Sequence, residues 1–126
     1  MATMRILIAD DSEIFVQRLK SSLAEVTGLE IVGHVDNGLD ATLEIRKAKP
    51  DVVILDIHMP GASGIDVLKG LKKDQFQPIV IVLSNYSDRQ YRKKCLESGA
   101  RFFFDKSADF HEVVGALRGL MDAPPA

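Results

Sequence analysis

Cysteine and tryptophan are nearly missing from this sequence, which has one cysteine and no tryptophan among 126 residues. The lone Cys95 cannot form an internal disulfide, and no second thiol stands at the spacing of a metal site. We therefore interpret Cys95 as a small buried hydrophobic residue. A chain without disulfides is typical of a reducing compartment.

Long apolar runs are missing as well. None approaches the ~18 residues that span a bilayer. The segment from Met1 to Arg5 leads straight into a predicted strand, without the pattern of a signal peptide. We expect a cytoplasmic protein with no membrane partner.

Neither sign of charge dominates, because 16 Lys and Arg residues balance 18 Asp and Glu residues to a net charge of −2. This balance argues against nucleic acid as a direct partner. The length suits a single domain with one core. We assign residues 1–122 to that domain and residues 123–126, Ala-Pro-Pro-Ala, to a disordered tail or the start of a linker.

Apolar runs of strand length alternate along the chain with segments of helical periodicity. The predicted strands cover residues 5–9, 29–35, 52–55, 79–83 and 101–104, with a predicted helix after each. Five strands alternating with five helices predict an α/β fold with a parallel sheet and helices on both faces. No glycine-rich fingerprint follows the first strand, where Asp10-Asp11-Ser12 stands, so a dinucleotide site is not expected.

Several local signals predict helix ends. They are Thr27-Gly28 for the first helix, Gly99 for the fourth, and the capping boxes Ser87 with Gln90 and Asp109 with Glu112.

Polar side chains stand where the predicted strands end. They are Asp10 and Asp11, Asp56, Ser84 and Lys106. Because ligands of open α/β sheets bind outside the carboxyl ends of the strands, we expect these side chains to share one crevice. Three carboxylates there repel one another, and a hard cation with oxygen ligands, above all Mg²⁺, would relieve the repulsion. With Lys106 and Ser84 contacting a phosphoryl group, Asp56 would attack phosphorus and form an aspartyl phosphate.

As a set, these residues match a known family. From Met4 to Met121 the chain resembles the receiver domain of bacterial two-component response regulators, including the chemotaxis-type single-domain receivers. The match rests on the acidic pair, the Asp-x-x-Met-Pro-Gly turn at Asp56, Ser84 and Lys106. It implies a flavodoxin-like, three-layer, doubly wound sheet of five parallel strands in the order 2-1-3-4-5.

The resemblance also implies a role for each matching residue. Asp56 would be the phosphoacceptor, Asp10, Asp11, Asp56 and the main-chain carbonyl of His58 the Mg²⁺ ligands, Ser84 the switch hydroxyl, Lys106 the phosphate-binding cation and Phe103 the switch aromatic residue.

Two positions depart from the family pattern. The usual Lys-Pro pair is Lys106-Ser107 here, which resembles receivers joined to helix-turn-helix output domains and puts the family's cis peptide in doubt. Phe103 has no hydroxyl, so a rotamer switch at this position would depend on packing alone.

Histidine and tyrosine near the crevice suggest a second layer of control. We expect the side chain of His58 at the rim and not on the metal, because hard Mg²⁺ prefers oxygen ligands. With Tyr86 on the opposite rim, it would gate the attacking water and tune phosphate lifetime. We expect His34 and His111 to face solvent.

The sequence therefore predicts a phosphorylation-activated switch that turns over no separate substrate. The implied partners are a histidine kinase or phosphotransfer protein and a protein target at the fourth helix, fifth strand and fifth helix. The family also allows a homodimer that forms on phosphorylation. We expect a stand-alone receiver, although Lys106-Ser107 points toward a linked effector.

Two rival functions remain. A phosphatase of the haloacid dehalogenase type also uses Asp and Mg²⁺, but it needs a second Asp where His58 stands. A receiver-like interaction module without phosphorylation would not need the intact set of site residues.

Overall fold

The computed structural model describes residues 3–85 and 89–122. Strands and helices alternate over this length as predicted. They are β1 Met4–Ala9, α1 Glu13–Ala24, β2 Leu29–Val35, α2 Gly38–Ala48, β3 Val52–Asp56, α3 Gly64–Leu71, β4 Ile79–Ser84, α4 Arg89–Glu97, β5 Phe102–Asp105 and α5 Phe110–Asp122. The predicted fifth strand is thus shifted by one residue toward the C-terminus.

The five strands form one parallel sheet in the order β2-β1-β3-β4-β5, which confirms the expected topology. In this order β1 and β3 are neighbours, with Ala9 in register with Leu55. The partly polar β2 lies at the edge and β3, buried over its whole length, lies at the centre. The sheet therefore sets the ends of β1 and β3 side by side.

The strands separate two apolar cores because successive side chains point to opposite faces of a sheet. Leu7 packs with helices α2, α3 and α4 on one face. Its neighbours Ile6 and Ile8 pack with α1 and α5 on the other. Cys95 is fully buried in the first core, as predicted, and that burial raises the pKa of its thiol to about 11.

Helix ends are fixed by side chains that accept hydrogen bonds from unpaired backbone N–H groups. Ser12, Asn37 and Ser63 cap α1, α2 and α3, and Ser63 forms a capping box with Asp66. Sequence reasoning missed the Ser63 box, although its Ser-x-x-Asp pattern is present.

Two of the predicted helix ends were wrong and one was right. Helix α1 ends at Ala24, before Thr27-Gly28. Glu25 is its C-cap residue, and the backbone N–H of Glu25 donates to the carbonyl oxygen of Leu23. Asp109 forms no capping box, since its carboxylate accepts from the backbone N–H of Asp105. Gly99 does follow α4 with a φ of +113°, which suits a glycine at a helix C-terminus. The predicted Ser87 box lies outside the described residues.

Two close backbone approaches hold the segment that follows β3. A Cβ at Gly64 would stand 2.5 Å from the carbonyl oxygen of Asp56, and one at Gly38 would overlap the carbonyl oxygen of Ala62. Only glycine fits at either position. The loop after Asp56 is thereby pinned between α2 and α3.

The described backbone contains no cis peptide bond, so the Lys106–Ser107 peptide is trans. Among the described residues, no helix combines the length and the apolar character that a transmembrane span requires.

Candidate functional site

The carboxylates of Asp10, Asp11 and Asp56 converge at the carboxyl edge of the sheet, as predicted. One oxygen of each lies within 4.8 Å of the others. Asp10 and Asp56 are buried, with 2% and 6% of their surface exposed, whereas Asp11 is exposed. The convergence follows from topology, because Asp10 follows β1 and Asp56 ends the neighbouring β3.

Lys106 reaches the acidic cluster from the end of β5. Its Nζ lies 2.7 Å from Oδ2 of Asp10 and 3.4 Å from Oδ2 of Asp56. The ammonium group also lies 4.5 Å from the ring centroid of Phe15. The side chain is buried, so this charge is compensated by the two carboxylates and the aromatic face instead of by water.

Burial raises the pKa of Asp56 to about 6 from its ordinary value of 3.8. The positive charge of Lys106 opposes the rise, and the negative charge of Asp10 adds to it. The backbone N–H of His58 donates to Oδ1 of Asp56 over 3.3 Å. The folded protein therefore disfavours a negative charge on Asp56 unless another cation joins the cluster.

The donor set fits a hard divalent cation. All three groups offer carboxylate oxygens, the ligands that Mg²⁺ prefers, and the cluster has more negative charge than Lys106 alone can compensate. A cation between them would favour the ionised form of Asp56. The cluster can thus hold a metal.

Ser84 and Phe103 occupy the strands next to the cluster. Ser84 ends β4, is fully buried, and its carbonyl accepts from the backbone N–H of Lys106 over 3.0 Å. Phe103 pairs in register with Val82 and is 3% exposed, so its ring is packed inward against the α4 side of the sheet. The switch roles that the resemblance implies for Ser84 and Phe103 stay predictions.

Helix α4 carries two contacts that sequence reasoning missed. The ring of Tyr91 meets that of His58 edge to face, with centroids 5.5 Å apart. The guanidinium of Arg92 donates to the carbonyl of Phe103 over 3.2 Å. These side chains extend from α4 to the loop after β3 and to β5. Sequence spacing does not predict such contacts between different elements.

The histidines lie on the surface, as expected. His58 is exposed at the rim of the cluster, and His111 is exposed on α5. His34 is exposed as well, with its Nε2 2.9 Å from the carbonyl oxygen of Asp10, to which a protonated ring nitrogen donates. The second rim residue, Tyr86, lies outside the described residues.

Residues 6–118 match the family model of the response regulator receiver domain. The chain belongs to this family. A curated relative is the DNA-binding transcriptional activator EvgA of Escherichia coli, 32% identical over 114 residues that make up 90% of this chain and 55% of EvgA. This receiver spans about half the length of the curated relatives that it matches.

Solved receiver structures superpose closely on the receiver. The signal receiver domain of the response regulator NarL from Mycobacterium tuberculosis has a TM-score of 0.89 at 25% identity, covering 98% of this chain and all of that domain. A chain of the CheX-CheY-BeF3-Mg+2 complex from Borrelia burgdorferi has a TM-score of 0.87 at 27% identity, covering 97% of this chain and 92% of that one.

Proposed function

We propose that this receiver accepts a phosphoryl group on Asp56 and thereby switches the affinity of its surface for a protein target. The observation that carries the proposal is the position of Lys106, whose ammonium group lies within reach of both Asp10 and Asp56. One cation shared by two buried carboxylates is arranged to stabilise the negative charge of a phosphoryl group as it arrives.

The transfer uses one group for each task. An ionised oxygen of Asp56 forms the bond to phosphorus while the bond between phosphorus and the donor atom breaks, and the electron pair leaves with the donor. The ammonium of Lys106 contacts phosphoryl oxygens, and so does the hydroxyl of Ser84. The domain acts on itself and turns over no separate substrate.

Asp10, Asp11, Asp56 and the main-chain carbonyl of His58 would hold Mg²⁺ in this proposal. When bound, the ion supplies charge neutralisation at the phosphoryl oxygens. The proposal is supported by the three converging carboxylates and by the similarity to the CheY complex, which contains Mg²⁺. The raised pKa of Asp56 supports a role for the ion, because a bound cation would favour the ionised carboxylate that attacks phosphorus.

The switch would act through Ser84 and Phe103. Movement of Ser84 toward the phosphoryl group leaves room for Phe103 to repack, and α4, β5 and α5 form the surface that changes. A target with different affinities for the two arrangements reads the signal. The donor is a histidine kinase or phosphotransfer protein, and the proposed setting is the cytoplasm.

Residues 1–122 form the receiver in this proposal and residues 123–126 lie outside it. A phosphorylation-dependent homodimer would use the same α4, β5 and α5 surface. Direct nucleic-acid binding by this domain is not part of the proposal, although EvgA is a DNA-binding activator.

The rival functions are less well supported. A phosphatase of the haloacid dehalogenase type needs an acid two residues after its nucleophile, where this chain has His58. In a phosphorylation-independent module, nothing would require a buried Asp56 whose pKa is raised by that burial. Titration with Mg²⁺ distinguishes the module, which would bind none.

The test is phosphorylation by acetyl phosphate with and without Mg²⁺, followed by intact mass spectrometry at neutral pH. Wild type should gain one phosphoryl group only with Mg²⁺, and Asp56→Asn should gain none. Asp122→Asn is the matched control, because Asp122 is an exposed residue at the end of α5. It should label like wild type. Mg²⁺-dependent labelling of Asp56→Asn would contradict the proposal.

A further inference from the structure

A cavity of about 190 Å³ adjoins the phosphoacceptor site on the side of α1. Its lining residues are Ser12, Phe15, Arg18, Asn85, Lys106 and Ser107. A single water needs only about 10–15 Å³ of this kind of space, so the cavity has room for a group the size of acetate. None of the roles proposed above uses this space.

The cavity lining is cationic. It contains Arg18 and Lys106 but no carboxylate, and its other polar groups are two hydroxyls and an amide. Lys106 shares its charge with Asp10 and Asp56 on the other side of its ammonium group. Arg18 supplies the cavity's unneutralised charge, because it has no ion pair or hydrogen bond among the described residues.

Aromatic rings hold the two cations in place. The guanidinium of Arg18 lies 4.0 Å from the ring centroid of Phe110, and Phe110 meets Phe15 edge to face at 5.6 Å. Phe15 in turn supports Lys106. A cation held over an aromatic face keeps its N–H groups free for an anion.

The cavity also lies on the outward side of the reacting centre. Ser12 comes after β1, Asn85 after β4 and Ser107 after β5, so these residues stand beyond the edge of the sheet where Asp56 ends β3. Arg18 lies over the ring of Phe110, the first residue of α5, which follows the end of β5 on the same side of the sheet as the site. In an in-line displacement the leaving group departs on the side of phosphorus opposite the nucleophile.

We propose that this cavity is a subsite for the anionic leaving group of a small phosphodonor, with Arg18 as its specificity-determining residue. The inference rests on the proposed function, since it concerns the same transfer to Asp56. With acetyl phosphate, an oxygen of Asp56 bonds to phosphorus, the bond from phosphorus to the acetyl oxygen breaks, and acetate leaves with the electron pair. Its negative charge develops beside Arg18.

Phosphoramidate provides the contrast. Protonated on nitrogen, it transfers its phosphoryl group to Asp56 by cleavage of the phosphorus–nitrogen bond, and neutral ammonia leaves. The subsite therefore favours acyl phosphates over phosphoramidate, and loss of Arg18 should reduce that preference selectively.

The experiment measures the rate of Asp56 phosphorylation with each donor in the presence of Mg²⁺. For Arg18→Gln we expect about a fivefold loss of rate with acetyl phosphate and less than about a twofold change with phosphoramidate, as suits an ion contact partly open to water. Arg18→Lys keeps the charge and should recover most of the preference. Arg101→Gln is the matched control, since Arg101 is an exposed arginine at the opposite end of β5.

The remaining outcomes are distinct. If Arg18→Gln leaves the ratio of the rates with acetyl phosphate and phosphoramidate unchanged, as equal losses with both donors would, the subsite proposal is wrong. Wild type that accepts a phosphoryl group from neither donor would overturn the proposed function itself, and the subsite with it. Circular dichroism of Arg18→Gln shows whether the packing against Phe110 survives the substitution. If the packing is lost, the ratio of the rates with acetyl phosphate and phosphoramidate in Arg18→Lys is the deciding measurement.

Discussion

Helices α3 and α4 pack on the same face of the sheet, but they are held there very differently. Helix α3 buries five of its eight residues and begins with a capping box, whereas α4 buries only Cys95 among its nine described residues. Few buried apolar contacts mean a low cost of local opening. The loop after Asp56 is therefore attached to the well-packed helix α3, and Phe103 lies beside the less buried helix α4.

The contacts of α4 fit this view. The edge-to-face contact of Tyr91 with His58 and the hydrogen bond from Arg92 to Phe103 link α4 to the two places where phosphorylation would change the structure. Each link is worth only about 1 kcal/mol. A new charge on Asp56 could rearrange them without disturbing the core.

The largest expected difference between the two helices comes from truncating one leucine in each. Leu68 of α3 is 2% exposed and Leu96 of α4 is 39% exposed. Leu68→Ala should lower the free energy of unfolding by about 3 kcal/mol, because it leaves a cavity in the core. Leu96→Ala should lower it by less than about 1 kcal/mol. Urea denaturation measures both, and equal losses would contradict the contrast.

A smaller effect on the free energy of unfolding is expected at Asp56, which precedes the loop that leads to α3. Its pKa of about 6 lies above the ordinary 3.8, so between these pH values the folded protein holds a proton that the unfolded chain has lost. Metal-free wild type should lose stability as pH rises through that window and stay lower above it. Asp56→Asn should therefore be more stable than wild type by about 2 kcal/mol at pH 7.

The measurement is denaturation in the presence of a chelator at neutral pH and at about pH 3. At the lower pH the carboxyl of Asp56 is largely protonated in both the folded and the unfolded protein, so the advantage of Asp56→Asn should fade. Asp122→Asn serves again as the charge control. An advantage that persists unchanged at low pH would show that burial of the Asp56 charge is not its cause.

The smallest effect is expected at α4 itself. Arg92→Gln removes the hydrogen bond to Phe103 and should lower the free energy of unfolding by about 1 kcal/mol or less. Hydrogen exchange should accelerate for the amides of α4 while those of α3 keep their protection. Lys93→Gln is the control, because the Lys93–Glu97 pair is exposed and 3.9 Å apart. Equal acceleration in both variants would remove the special role of Arg92.

The convergence of the site residues could be predicted from the sequence because each of them follows or ends a predicted strand. As strands of one parallel sheet, the buried runs that stop at Asp10, Asp56 and Ser84 all end at the same edge, so this prediction required no knowledge of side-chain positions. Lys106 joined them because β5 ends at the same edge. The resemblance supplied the strand order and the individual roles.

What could not be predicted depends on where long or flexible side chains turn. Asp109 has the spacing of a helix cap, yet its carboxylate reaches back to Asp105, since the tight turn brings that N–H within 2.9 Å. No pattern in the sequence indicates that Arg18 contacts Phe110 or that Arg92 contacts Phe103, because these contacts depend on how the helices pack against the sheet. Local propensity does not contain that information.

The register of the two central strands has a consequence for ion selection. Ala9 and Leu55 are paired, so Asp10 and Asp56 extend from adjacent strands whose separation is about 4.8 Å throughout any β-sheet. Substitutions in the surrounding loops can alter how tightly a cation binds there. They leave unchanged the spacing of the two backbones from which the carboxylates extend, because that spacing belongs to the sheet.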